Sequence, residues 1–281
     1  MADDAPDLAR IAAALERLAP APFRADLSTA AAFRWAPAQA ALLPAPAFAG
    51  PPLDLLLGVE RQKDALVSNT RRFAAGAPAN NALLWGSRGT GKSALIKATH
   101  AAIAAAAPTL KLVEAPPSDL DRIGALIDAL RAQPHPVILF LDDLSFAGGE
   151  AALKALKPAL DGALNSGEGR LLVYATSNRR HLVARDAREN LPDEIMWADA
   201  AEEHLALADR FGLWLGFHAM DQNAYLAIID AYAARFKLPI AQEKLHEEAL
   251  LWSRTRAARS GRTAWQFTLD LAGRLDRPVK F

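Results

Sequence analysis

The stretch Gly86-Ser87-Arg88-Gly89-Thr90-Gly91-Lys92-Ser93 matches G-x-x-x-x-G-K-[ST] at every defined position and constrains this chain more than any other feature. Glycines let the backbone turn tightly and aim successive N–H groups at one point, a nest for phosphate oxygens. A helix starting at the loop adds the positive end of its dipole there. Lys92 can reach the β- and γ-phosphates of a nucleotide, and the Ser93 hydroxyl is a ligand for Mg²⁺. The motif requires a strand before it and a helix after it. Both are present: Ala82–Trp85 is a short apolar run, and a helical pattern extends from about Gly91 to Ala107. A glycine-rich turn without a ligand is the competing reading, and this context argues against it.

The surrounding chain repeats the rhythm. Glu60–Gly76 and Asp119–Arg131 read as helices, and Leu110–Val113, Val137–Leu141 and Leu171–Ala175 as short buried strands. Alternating strands and helices predict a parallel sheet covered on both faces. Ligands bind beyond the C-terminal ends of strands in such sheets. Val137–Leu141 delivers Asp142 and Asp143 to that edge. Asp142 suits Mg²⁺, partly through water, and Asp143 suits polarising an attacking water as general base. Leu171–Ala175 delivers Thr176, Ser177 and Asn178, and Asn178 can reach a γ-phosphate or orient the water. Asp and Asn at strand ends also cap helices, which is the competing role for all three. Company with the P-loop favours chemistry.

Beyond Met220 the strands stop, and Gln222–Phe236, Glu243–Arg256 and Thr263–Leu275 read as three helices of a second part. At the other end, Leu8, Ile11, Leu15 and Leu18 form one apolar stripe, and Ala36–Pro52 reads as a Pro/Ala-rich extended connector. The expected division is therefore residues 1–52 as leading helix and connector, 53–219 as the α/β nucleotide-binding domain, and 220–281 as the helical part. The leading helix packs on its own domain or docks on a neighbouring subunit.

Composition narrows the chemistry further. With no cysteine in 281 residues, disulfides, thiolate metal sites and cysteine nucleophiles are excluded. The six histidines show no metal-binding spacing. Lys+Arg and Asp+Glu balance at 32 each, so net charge does not point to nucleic acid. Arg179, Arg180, Arg185 and Arg188, and Arg254, Arg256, Arg259 and Arg262, make two local basic clusters, which solvated faces also explain. The tryptophans are expected in packing. No run approaches the roughly 20 apolar residues of a membrane span. The start, Met1-Ala2-Asp3-Asp4, is acidic where a secretory signal is basic, so the cytoplasm is the expected compartment.

In this order the three elements resemble the Walker A, Walker B and sensor-1 elements of AAA+ ATPases. Gly58-Val59-Glu60-Arg61-Gln62, Pro78-Ala79-Asn80-Asn81, Leu141-Asp142-Asp143-Leu144-Ser145-Phe146, Tyr174 to Leu182, Asp209 to Leu215 and Arg259-Ser260-Gly261-Arg262 sharpen the match. Together they resemble one bacterial AAA+ family, domain of unknown function 815, over roughly residues 53–270. The resemblance implies a P-loop NTPase fold with a helical lid, ATP and Mg²⁺ as cofactors, and a homo-oligomer. It places Val59 against adenine through backbone contacts. It makes Arg210 an arginine finger acting on a neighbour's ATP, in a setting similar to that of the Holliday-junction branch-migration helicases. Arg262 resembles sensor 2, with Arg259 as competitor, and a surface ion pair is the alternative for both Arg210 and Arg262.

Two departures stand out. Most AAA+ proteins carry Glu where this chain has Asp143, which sets the carboxylate one methylene back. Glu114-Ala115-Pro116-Pro117-Ser118 also lacks the aromatic–apolar–Gly pore motif of protein unfoldases, which disfavours polypeptide threading. The expected function is ATP hydrolysis by an oligomer that remodels a protein or nucleoprotein partner. The alternatives are a nucleotide-dependent switch with very slow turnover, and a small-molecule kinase, against which the Asp142-Asp143 pair and the helical part argue.

Overall fold

The computed structural model describes residues 25–116, 123–144, 170–178 and 209–281, together with Arg10, Phe23, Leu156, Lys157, Leu160 and Asp161. Its strands are β1 (Ala32–Ala36), β2 (Ala41–Pro44), β3 (Ala82–Gly86), β4 (Lys111–Ala115), β5 (Val137–Leu141), β6 (Leu171–Ser177) and β7 (Leu213–Phe217). They form one sheet in the order β2-β1-β4-β5-β6-β3-β7. All neighbours are parallel except β1 and β2. Helices α1 (Glu60–Ala74), α2 (Lys92–Ala104) and α3 (Ile123–Arg131) accompany it, and α4 (Gln222–Arg235), α5 (Gln242–Thr255) and α6 (Gly261–Arg274) follow it.

Alternation along the central strands explains why both faces are covered. Val137, Leu139 and Leu141 of β5 enter one apolar cluster with Ile123, Leu126, Ile127 and Leu130 of α3. Ile138 and Phe140 enter a second with Leu66 and Phe73 of α1 and Leu95 and Ile96 of α2. The helical part has its own core, in which Tyr225, Ile228 and Ile229 of α4 meet Leu245 of α5 and Phe267 and Leu271 of α6. Its helices begin on side-chain caps at two points: Asp221 accepts from the Ala224 N–H at 2.8 Å, and Ser260 from the Thr263 N–H at 3.1 Å.

The fold class agrees with the sequence reading, and three details differ. The expected connector over 36–52 contributes β2, and β1 lies just before it. β1 pairs with β4 and extends the sheet. Its period of two, with Phe33 and Trp35 buried and Arg34 exposed, is short and set among alanines, which obscured it. β7, after Arg210, is a further strand beyond those expected. Trp214, expected in packing, is 37% exposed on that edge strand. The leading helix over 7–18 and the basic cluster Arg179–Arg188 lie outside the described residues, save Arg10. No described helix is long and apolar enough to cross a membrane.

Candidate functional site

The P-loop connects β3 to α2, and three of its glycines have the positive φ that L side chains resist. At Gly86 (φ +125°) a Cβ would lie 2.0 Å from the Phe217 carbonyl oxygen of β7. That closeness lets the Ser87 N–H donate to the same oxygen at 2.9 Å, fixing the start of the loop. At Gly89 (φ +76°) a Cβ would lie 2.8 Å from Ser260 Oγ, at the N-cap of α6. The Arg262 N–H also donates to the Gly89 carbonyl at 3.3 Å, so the helical part sits directly on the loop. Gly91 (φ +98°) is the residue before α2. Thr90 is buried, its hydroxyl donating to the Ser87 carbonyl at 2.8 Å.

Lys92 is 5% exposed. Its ammonium donates to the carbonyls of Gly86 at 2.9 Å and Ser87 at 2.7 Å, and to Asn178 Oδ1 at 3.0 Å. Burial lowers its pKa to about 8, against the opposing pull of Asp143 and Asp142. The ammonium therefore lies folded onto its own loop, with two neutral carbonyls where phosphate oxygens would give stronger partners.

Parallel pairing of β5 with β6 puts Leu141 beside Ala175, so the residues after each strand converge. Ser93 donates to Asp142 Oδ1 at 2.5 Å, and Thr176 donates to the same oxygen at 2.7 Å. The Asp143 N–H donates to Thr176 Oγ1 at 2.8 Å. The Asn178 amide donates to Asp143 Oδ1. Asp143 itself sits at φ +58°, in the left-handed region that L side chains seldom adopt. Lys92, Ser93, Asp142, Asp143 and Asn178, all chosen from the sequence, thus form one connected network. Thr176 is its hinge. Nothing in a strand-end threonine announces a bond to the preceding strand.

A cavity of about 680 Å³ runs from this network to the helical part. Arg88, Gly89, Gly91, Lys92, Ser93, Asp142, Asp143, Asn178 and Arg262 line it, with Leu56, Tyr232, Trp265 and Phe281 at other points of its wall. Such a volume lies within the ordinary range for small-molecule sites.

The protein-of-unknown-function family DUF815 matches residues 28–275. The chain belongs to the DUF815 family. Two point variants of Thermotoga maritima RuvB share its fold, each with 16% identity and a TM-score of 0.50, over 80% of this chain and 72% of theirs. The FIGL-1 AAA domain, solved in complex with ADP, aligns at 16% identity over 82% of this chain and 89% of its own, with a TM-score of 0.47. No curated protein matches. The fold of this DUF815 member is that of an AAA+ P-loop NTPase.

The remaining sequence candidates fall in different places. Arg262 lines the cavity beside the P-loop, and Arg259 lines a second one that also reaches Ser87, Arg88, Asp143 and Asn178. Arg256 is elsewhere, its guanidinium 3.4 Å above the Trp252 ring. Val59 is 7% exposed in the core against Leu56, and Leu56 rather than Val59 faces the cavity. Arg210 does not join the network. It precedes β7 at the end of the sheet opposite the P-loop, because Leu213 pairs with Ala82 and Phe217 with Gly86. Its Nε is 2.6 Å from Asp161 Oδ1.

Proposed function

We propose that this DUF815 member is a Mg²⁺-dependent ATPase that works as a homo-oligomer on a protein or nucleoprotein partner. The single observation carrying this reading is the network from Lys92 and Ser93 through Asp142 and Thr176 to Asp143 and Asn178. A phosphate-binding cation, a hydroxyl–carboxylate pair and a candidate base meet at one edge of the sheet.

The residues fit the cofactors. Ser93 Oγ and Asp142 Oδ1 are hard oxygen donors already 2.5 Å apart, the donor type Mg²⁺ selects. When bound, Mg²⁺ supplies neutralisation of phosphate charge. The loop from Gly86 to Ser93 contributes backbone N–H donors to the phosphates, and Arg88 and Arg262 add guanidinium charge from the cavity wall. Lys92 exchanges its two loop carbonyls for phosphate oxygens. Asp143 accepts the proton of the attacking water, and Asn178 positions that water or holds the base. We read Arg262 as sensor 2. We read residues 53–219, with β1 and β2 added at the sheet edge, as the nucleotide-binding domain and 220–281 as its lid.

Arg210 lies a strand's length from its own P-loop, so it serves a neighbouring subunit's site or none. Exchange of Asp161 for a neighbour's phosphate would switch it on. A slow nucleotide-dependent switch is the second reading, favoured because the Asn178 amide already occupies Asp143 Oδ1.

Phosphate release by the purified protein with ATP and Mg²⁺ tests the choice. Turnover that rises with protein concentration and disappears in Asp143→Asn, with ATP binding intact, supports the ATPase. Turnover that stays very slow at every concentration supports the switch. Failure of the wild-type protein to bind ATP removes both.

A further inference from the structure

Besides its P-loop residues, the cavity is lined by aromatic side chains of the helical part. Trp265 of α6 and Phe281 lie with ring centroids 4.5 Å apart at an interplanar angle of 32°. Tyr232 of α4 braces both edge-on, at 5.8 Å from Trp265 and 5.6 Å from Phe281. All three line the same cavity as Gly91, Lys92 and Ser93. The core side offers only small or aliphatic groups there, Ala49, Pro51 and Leu56.

Tyr232 adds a polar signal to this wall. The residue is 3% exposed, and its hydroxyl makes no hydrogen bond to the described residues but is not sealed from solvent. A phenol so placed keeps its hydrogen-bonding capacity for water or a ligand. Burial raises its pKa to about 12, so it stays protonated and able to donate at any physiological pH. The same residue helps line the cavity.

We infer that the base of a bound nucleotide packs on the aromatic wall of Trp265 and Phe281, while the Tyr232 hydroxyl hydrogen-bonds to the nucleoside. The inference rests on the nucleotide reading of the P-loop and says which part of the molecule recognises the other half of the ligand. Recognition of the base then belongs to the helices of the lid, not to the buried Val59 of the core. A flat apolar heterocycle satisfies a wall of this kind, and base–aromatic stacking carries enough free energy to matter. Since α6 also contacts the P-loop at Gly89, one helix touches both ends of the ligand.

Equilibrium binding of ATP and of inorganic tripolyphosphate, which lacks the base, tests this. Trp265→Ala is expected to weaken ATP by roughly 10- to 100-fold, the range of one lost stack, and tripolyphosphate by less than about twofold. Trp265→Phe should restore most of the ATP affinity, and Tyr232→Phe should weaken ATP several-fold without touching tripolyphosphate. ATP should also quench tryptophan emission in the wild-type protein and lose most of that signal in Trp265→Phe, a reading that survives if the alanine variant misfolds. If both ligands bind the wild-type protein and none of these variants alters ATP, the aromatic wall is not the base site. If neither ligand binds the wild-type protein, the nucleotide reading itself is wrong and the inference falls with it.

Discussion

The Lys92 ammonium donates to the Asn178 side-chain oxygen across 3.0 Å, tying the P-loop to the end of β6. The same Asn178 side chain donates through its amide to Asp143. One residue therefore orients both the candidate phosphate-binding cation and the candidate base. Replacing it disturbs two partners at once, with different consequences for binding and for chemistry.

Asn178→Ala leaves Lys92 its two loop carbonyls, so ATP affinity should change by no more than a few-fold. Phosphate release should fall by about 10²-fold, the usual loss when a group positioning the base or the water is removed. Parallel measurements of binding and turnover separate the two. Unchanged turnover would take Asn178 out of the chemistry.

The lowered pKa of Lys92, about 8, gives ATP binding a specific pH dependence. A bound triphosphate favours the ammonium and raises that pKa, so the complex holds the proton the free site loses. Affinity should be flat below pH 7 and fall towards tenfold per unit above pH 8. Calorimetry at pH 8 in buffers of different ionisation enthalpy should register uptake of about half a proton per ATP. The linkage to folding has the opposite sense. Because the folded pKa lies below the unfolded one, this group's charging penalty is present below pH 8 and relaxes as pH rises from about 8 towards 10.5.

Arg210→Ala should bind ATP normally and lose turnover by 10³-fold or more, as expected for a finger. Asp143→Asn keeps Arg210 but lacks the base. Mixing the two variants should restore phosphate release above the sum of the separate samples, because each supplies what its neighbour lacks. Wild-type turnover by Arg210→Ala alone would end the assignment.

Gly86→Ala pits a Cβ against the Phe217 carbonyl at 2.0 Å and against φ +125° together. Chemical denaturation should show a loss of about 3 kcal/mol or more, with separation of β7 from the loop. Gly76 is the control. It also has positive φ, +76°, but open space around it, so Gly76→Ala should cost only about 1 kcal/mol.

Legibility in the sequence followed how local each signal is. The Gly86–Ser93 loop, the Asp142-Asp143 pair and Asn178 were readable because each follows an apolar strand at a short, fixed spacing. The helices from 222 to 275 were readable from periodicity alone, within a residue or two of their observed ends. β1 was not, because Phe33 and Trp35 are its only bulky inward residues. The contacts of Thr176 and the convergence of Tyr232, Trp265 and Phe281 on one cavity were unreadable for a different reason. What makes them matter is which remote residues they meet, and no spacing along the chain encodes the meeting of β5 with β6 or of α4 with α6.

The contact between Gly89 and Arg262 is made by main-chain atoms on both sides. That hydrogen bond does not depend on the Arg262 side chain. Side-chain exchange at position 262 would change the charge offered to a ligand and leave the hinge itself in place, whereas a methyl group at position 89 would wedge the two parts apart. The charge offered to a ligand and the backbone joint thus belong to different atoms of Arg262, and a substitution there can remove the first while sparing the second.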